Sequence, residues 1–292
     1  MFFGSMVALI TPMHDDGSVD EIAIRNLIEM HIEQGTTGIV VVGTTGESAT
    51  LDEHEHCDLI RLAVAISAGR VPIIAGTGAN ATSEAITLSR CAKQAGADAS
   101  LSVTPYYNKP TQEGLYRHYK TIAEAIDIPQ ILYNVPGRTA CDLLPETVAR
   151  LATIPNIIGI KEATGNVERA KQIRAMCGNE FAIYSGDDAT AMELLLQANG
   201  QGVISVTANI APKQMQLMVQ AALAGNLEQA SLLDAPLRGL HKDLFAESNP
   251  IPVKWAAAEL GLCKSGIRLP LTWLSVAMQP RVKAAMQQAG LV

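Results

Sequence analysis

Lys161 stands at the end of an unbroken apolar run, IIGI at 157–160. A lysine there costs folding free energy unless it is paired or used, because its charge must leave water. Burial disfavours the charged form and lowers the pKa, which leaves a neutral amine able to attack a carbonyl. The chemistry that follows is a covalent imine between the lysine and a keto compound. The residues alone leave a second account open, in which Lys161 is ion-paired with Glu162 or a nearby aspartate. Tyr133 ends the preceding apolar run. A phenol at that point can move protons on and off a carbinolamine oxygen, and the Thr44 hydroxyl can pass them on. A core tyrosine with a satisfied hydroxyl is the alternative. The turn Gly43-Thr44-Thr45-Gly46 offers backbone N–H groups to a carboxylate, against the simpler reading of an ordinary strand-to-loop turn. Arg138, in NVPGRT, carries the bidentate fork for a second carboxylate, unless it is a plain surface arginine.

These residues must be brought together by the elements that carry them. Short apolar runs recur at 6–10, 38–42, 71–75, 100–103, 130–133, 157–160, 181–184 and 202–206, and each is followed by a helical pattern. Asp52 and Glu55 have the spacing of a capping box, and Gly35, Gly69 and Gly96 sit where helices should stop. The runs do not alternate polar with apolar, which fits parallel strands buried on both faces. Eight strand–helix units in residues 1–225 match a (β/α)8 TIM barrel, whose chemistry sits at the carboxyl ends of its strands. A doubly wound open sheet is the rival fold. AGTGAN lacks the last glycine of a dinucleotide fingerprint, and GTTGES is not followed by GK[ST]. Residues 226–292 read as a C-terminal helical region, with Pro250 and Pro280 each opening a helix.

The 292 residues are 48% hydrophobic, enough for one buried core. A formal net charge of −7 argues against nucleic acid or an anionic membrane as the main partner. Five scattered cysteines without a CxxC fit reduced thiols in a cytoplasmic protein. The opening MFFGSMVALITPM lacks a basic region and reads as a first strand, not a signal peptide. His54 and His56 lie two residues apart and face different sides of a helix, so no metal site is expected.

Taken together, GTTGESATL, AGTGAN, VTPYYNKP, QILYNVPGRT, IIGIKEATG, SGDD, GVISVTAN and NPIPVKW resemble the dihydrodipicolinate synthase family over nearly the whole chain. The resemblance implies a pyruvate-dependent lyase that needs no metal or organic cofactor. It implies the Schiff-base lysine at Lys161, the proton relay at Tyr133 and Thr44, and the pyruvate carboxylate on Thr45. It also implies a second relay tyrosine, Tyr107, that enters a neighbouring subunit's site. Arg138 would bind the carboxylate of L-aspartate 4-semialdehyde, and Gly186 and Val203 would line the pocket. A homotetramer built as a dimer of dimers is implied as well. An allosteric L-lysine site maps onto Ser48, Ala49, His56, Asn80, Glu84 and Tyr106, with a departure at Glu53, where lysine-sensitive relatives carry histidine. Two alternatives remain at this stage: a sibling lyase acting on N-acetylneuraminate or a 2-keto-3-deoxy sugar acid, and a non-catalytic metabolite-binding barrel. Arg138 favours the synthase over the sugar-acid siblings, since a carboxylate-bearing aldehyde needs such a cation.

Overall fold

The computed structural model describes residues 1–292. Its strands are β1 (Gly4–Ala8), β2 (Gly38–Val41), β3 (Ile73–Gly76), β4 (Ala99–Val103), β5 (Gln130–Asn134), β6 (Ile157–Glu162), β7 (Ala182–Ser185) and β8 (Gly202–Ser205). Each pairs in parallel with the next, and β8 returns to β1 to close the barrel. The connecting helices are α1 (Glu21–Glu33), α2 (Glu53–Ser67), α3 (Thr82–Ala95), α4 (Gln112–Ala125), α5 (Pro136–Thr139), α6 (Pro145–Leu151), α7 (Val167–Cys177), α8 (Ala191–Gln197) and α9 (Pro212–Leu223). Then come α10 (Leu227–Asp234), α11 (Arg238–Asp243), α12 (Ile251–Glu259) and α13 (Gln279–Gln288). The TIM barrel expected from the apolar runs is the fold observed. The Asp52–Glu55 capping box opens α2, and Gly96 ends α3 in the left-handed region. The short α5, which carries Arg138, is an element that the apolar pattern does not announce.

Side chains alternate across each strand, so every strand serves two cores. Met6, Ala8, Val40, Ile74, Leu101, Ile131, Tyr133, Tyr184 and Ile204 fill the barrel interior. Val7, Ile39, Val41, Ile73 and Val203 face outward into a separate cluster shared with the helices. That outer cluster runs without a break into the C-terminal helices through Leu237, Leu240, Val253, Trp255 and Val282.

Polar contacts then fasten the same C-terminal region to the loop between β2 and α2. Lys254 of α12 and Glu47 form an ion pair in which both side chains are fully buried. The other Glu47 oxygen accepts from the Arg268 backbone N–H at 3.2 Å. The Arg268 guanidinium in turn donates to both oxygens of Glu55 at 2.6 Å and to the Thr50 carbonyl at 2.8 Å. The loop bearing Thr44 and Thr45 is therefore held from outside the barrel.

The structure corrects the expectation of five free thiols. Cys57 of α2 and Cys91 of α3 are joined in a disulfide across a Cα–Cα distance of 6.0 Å, while Cys141, Cys177 and Cys263 are free. Consecutive helices of a barrel lie side by side, so two cysteines 34 residues apart can meet on facing surfaces. No helix is long and apolar enough to cross a membrane.

Removing one partner of a buried pair leaves an uncompensated charge, which costs about 3–5 kcal/mol. Lys254→Met should therefore lower stability to urea by about that amount, and adding Glu47→Gln should recover part of the loss. A urea midpoint unchanged in the single variant would show that the pair does not hold the loop.

Candidate active site

The strand period of two turns Lys161 inward and its neighbour Glu162 outward. Glu162 accepts from the Thr164 backbone N–H at 2.8 Å and from Asn134 Nδ2 at 3.2 Å, and Arg169 pairs with it at 3.2 Å. Arg169 also holds Asp142, and Asn134 bridges Asp142 and Glu162. The carboxylate adjacent in sequence is thus occupied behind the strand. Lys161 itself is 5% exposed. No ion pair or hydrogen bond reaches its amine, which removes the reading of Lys161 as half of a salt bridge with Glu162. Burial lowers its pKa to about 8; the Arg138 charge adds to that, and Asp188 opposes it.

Register places Tyr133 of β5 directly beside Lys161 of β6. The Lys161 Nζ lies 4.4 Å from the centroid of the tyrosine ring. Burial raises the pKa of the phenol, while the Arg138 charge and a hydrogen bond with Thr44 pull it back. Thr44, Thr45, Tyr133 and Lys161 line one small cavity in the barrel mouth. Gly186, which ends the β7 run, packs against the lysine stem. A Cβ built there would lie 2.6 Å from the Ala163 Cβ and 2.9 Å from the Lys161 Cε. Glycine at this position is what lets the lysine lie in its observed path.

A larger cavity of about 600 Å³ opens from the same place. Thr44, Thr139, Arg138 and Asn249 are among the residues that line it, and Thr44 lines both cavities. Arg138 forms no ion pair, and its Nη2 donates to the Asn249 carbonyl at 3.3 Å. Ser48, Ala49, Glu53, His56, Glu84 and Tyr106 line the same cavity, and Ser48 and His56 also line the small one beside Lys161. His56 Nε2 donates to the Gly76 carbonyl at 2.7 Å, and burial lowers the pKa of the imidazole against the opposing pull of that bond and of the Glu53 charge. Asn80 does not line the cavity but donates to the Tyr106 carbonyl at 3.3 Å.

Tyr107, expected in a neighbouring subunit's site, is 90% exposed, has a positive φ and lines neither cavity of this chain. Val203, expected to line the pocket, is a correction. It pairs with Ser5 and Ser185 in the outward-facing register and packs in the outer cluster, while Ile204 faces the interior. On a strand a one-residue offset exchanges the two faces, so an assignment by motif alone is vulnerable there. Sequence reasoning passed over Asn249, whose motif NPIPVKW lies far from any barrel strand. It also passed over Asp188, a buried carboxylate that accepts from the backbone N–H groups of Val206 and Thr207 at 2.9 Å. An acid directly after SGD was the only available signal.

Gly186→Ala should displace the Lys161 stem. A reacting atom moved by about 1 Å costs on the order of 100-fold in rate. The expected result is a loss of that order in turnover, with a far smaller change in melting temperature. Unchanged turnover would show that the lysine path tolerates a methyl group.

The chain matches the model of the dihydrodipicolinate synthetase family over residues 1–289. It is 64% identical over 292 residues to the 4-hydroxy-tetrahydrodipicolinate synthase of Methylococcus capsulatus, with 100% of both chains covered. The chloride-inhibited dihydrodipicolinate synthase from Acinetobacter baumannii, solved with pyruvate, superposes with a TM-score of 0.99 at 55% identity, covering 100% of each chain. The enzyme from Cyanidioschyzon merolae, solved with lysine bound, gives a TM-score of 0.95 at 40% identity, covering 100% of this chain and 99% of that one. With matches of this extent and identity, the chain belongs to the dihydrodipicolinate synthetase family.

Proposed function

We propose that this lyase condenses pyruvate with L-aspartate 4-semialdehyde to give 4-hydroxy-tetrahydrodipicolinate, through an imine on Lys161. The observation that carries the proposal is a buried amine without a counter-ion, set beside a phenol and a hydroxyl at the mouth of a barrel. At neutral pH an amine with a pKa of about 8 holds a far larger neutral fraction than an ordinary, solvated lysine. The neutral amine adds to the pyruvate carbonyl, and Tyr133, with Thr44 behind it, delivers the proton that lets water leave. Loss of a proton from the pyruvate methyl converts the imine to an enamine. The enamine carbon attacks the aldehyde, whose carboxylate is held by Arg138. The amine of the semialdehyde then attacks the imine carbon, closes the ring and releases Lys161 with its proton count restored. The carbonyl is activated by the lysine itself, so the proposed route uses no metal or organic cofactor.

Within the same reading, Thr45 binds the pyruvate carboxylate and Gly186 keeps the lysine stem clear. Tyr107 completes the relay in a neighbouring copy, and the chain assembles as a homotetramer built from dimers. The exposure of Tyr107 supports that role, because a large aromatic left 90% exposed in one chain is available to a partner. L-Lysine is the proposed ligand of the larger cavity, where Glu53 and Glu84 supply negative charge for its ammonium groups.

Borohydride reduction in the presence of pyruvate should trap an adduct on Lys161, detected by mass spectrometry. The rate of trapping should climb with pH up to about 8 and then level, because the neutral amine is the attacking form. A folded protein without that adduct would end the proposal. Tyr107→Phe and Lys161→Ala should each be nearly inactive, and subunits re-associated from a mixture of the two should regain activity. If the mixture stays inactive, Tyr107 does not serve a neighbour's site. L-Lysine should lower activity in a saturable titration that Glu84→Gln weakens; a flat titration would remove lysine from the larger cavity.

A further inference from the structure

The segment NPIPVKW contributes to the barrel mouth from outside the barrel. Its first residue, Asn249, is 6% exposed and stands two residues ahead of α12. Its side-chain Nδ2 donates to Thr45 Oγ1 at 2.9 Å, across 204 positions of sequence. Its Oδ1 is buried and has no partner. The bond to Thr45 is thus the only side-chain hydrogen bond that the amide makes. Its main-chain carbonyl meanwhile accepts from Arg138 Nη2 at 3.3 Å. One residue therefore touches both groups assigned above to carboxylates, and its two contacts use chemically separate parts of it.

The direction of the first bond has a consequence. A threonine oxygen that accepts from an amide keeps its own proton to donate elsewhere. A carboxylate can only accept, so Thr45 is set up as a donor to it, and a hydrogen bond to a charged group is worth more than a neutral one. The anchor for this arrangement lies nearby. Lys254 of α12 is locked onto Glu47, two residues beyond Thr45 in the same loop, so helix and loop keep one register. An amide retained merely to tie the C-terminal region to the barrel would be redundant beside that ion pair.

We propose that Asn249 is a positioning residue that orients the Thr45 hydroxyl as a donor to the keto-acid carboxylate, and that it acts on pyruvate recognition separately from its main-chain support of Arg138. The inference rests on the pyruvate reading given above. Asn249→Asp keeps the shape but replaces the donor by an acceptor, which would take the Thr45 proton and set a negative charge beside the anion. Asn249→Ala deletes the amide without adding charge.

The test is steady-state kinetics on both substrates for Asn249→Asp, Asn249→Ala, Thr45→Val and the double variant Asn249→Ala/Thr45→Val. Loss of a hydrogen bond to a charged group corresponds to about a tenfold or larger change in affinity. Both Asn249 variants should raise KM for pyruvate by about tenfold or more, with the aspartate variant the worse. KM for the aldehyde should stay within about twofold, because the carbonyl facing Arg138 is unchanged. The double variant should be no worse than Thr45→Val alone. Lowering the pH should shrink the Asn249→Asp defect as the new carboxyl regains a proton and can donate again. A change shared equally by both substrates, or additivity with Thr45→Val, would overturn the proposal and leave Asn249 a structural tie. Should the aspartate variant fail to fold, the alanine variant and its double decide by the same criteria. Wild-type protein that forms no pyruvate adduct on Lys161 would be a different failure, that of the functional reading itself.

Discussion

An amine placed inside an apolar barrel gives up its hydration, and Lys161 does so without a carboxylate in contact. That desolvation, only partly offset by the charge of Asp188, is what lowers its pKa to about 8. It depends on keeping the nearest acid away. Glu162 is the next residue along, and the alternation of the strand sends it to the opposite face, where Arg169, Asn134 and Thr164 engage it. Asp142 completes the same network. Two neighbours in sequence are thereby both buried but differ in partners, and Lys161 is the one whose charged end has none in contact.

The rest of the site follows from protecting that arrangement. Parallel register sets Tyr133 against the lysine, since the two residues are paired across β5 and β6. Gly186 leaves the volume that the lysine stem fills. The loop after β2, which presents Thr44 and Thr45, is not held by the barrel alone. Lys254, Asn249 and Arg268 reach it from the C-terminal region through a buried ion pair, an amide–hydroxyl bond and a guanidinium fork onto Glu55. The helices after the barrel are therefore part of what shapes the mouth, and they share its outer apolar cluster.

The cavity of about 600 Å³ holds fixed charge of both signs, Arg138 on one hand and Glu47, Asp52, Glu53 and Glu84 on the other. Glu47 is committed to Lys254, and Arg138 has no acidic partner, so its charge is free to act in the cavity. In a concave site with low-dielectric walls, fixed charges act on a ligand more strongly than they do at an open surface.

Much of this was legible in the chain itself. Apolar runs without alternation, each followed by a helical period, specify parallel strands buried on both faces, and their number specifies a closed barrel. A lysine, a tyrosine and a threonine at the ends of such runs must then converge, because strand ends share one face. The ion-paired and free accounts of Lys161 could not be separated in sequence, since Glu162 is adjacent either way and only the pleat decides which face it takes. The same property misled the assignment of Val203, where the interior position belongs to Ile204. Contacts between distant segments were invisible for a related reason. Asn249 on Thr45, Lys254 on Glu47 and the Cys57–Cys91 disulfide depend on how loops and helices pack across the barrel surface, and no local pattern of residue types encodes that. Local periodicity determines which elements form and which side chains each presents; which of those side chains meet, and which are left without a partner, is decided only when the barrel closes and the C-terminal helices dock against it.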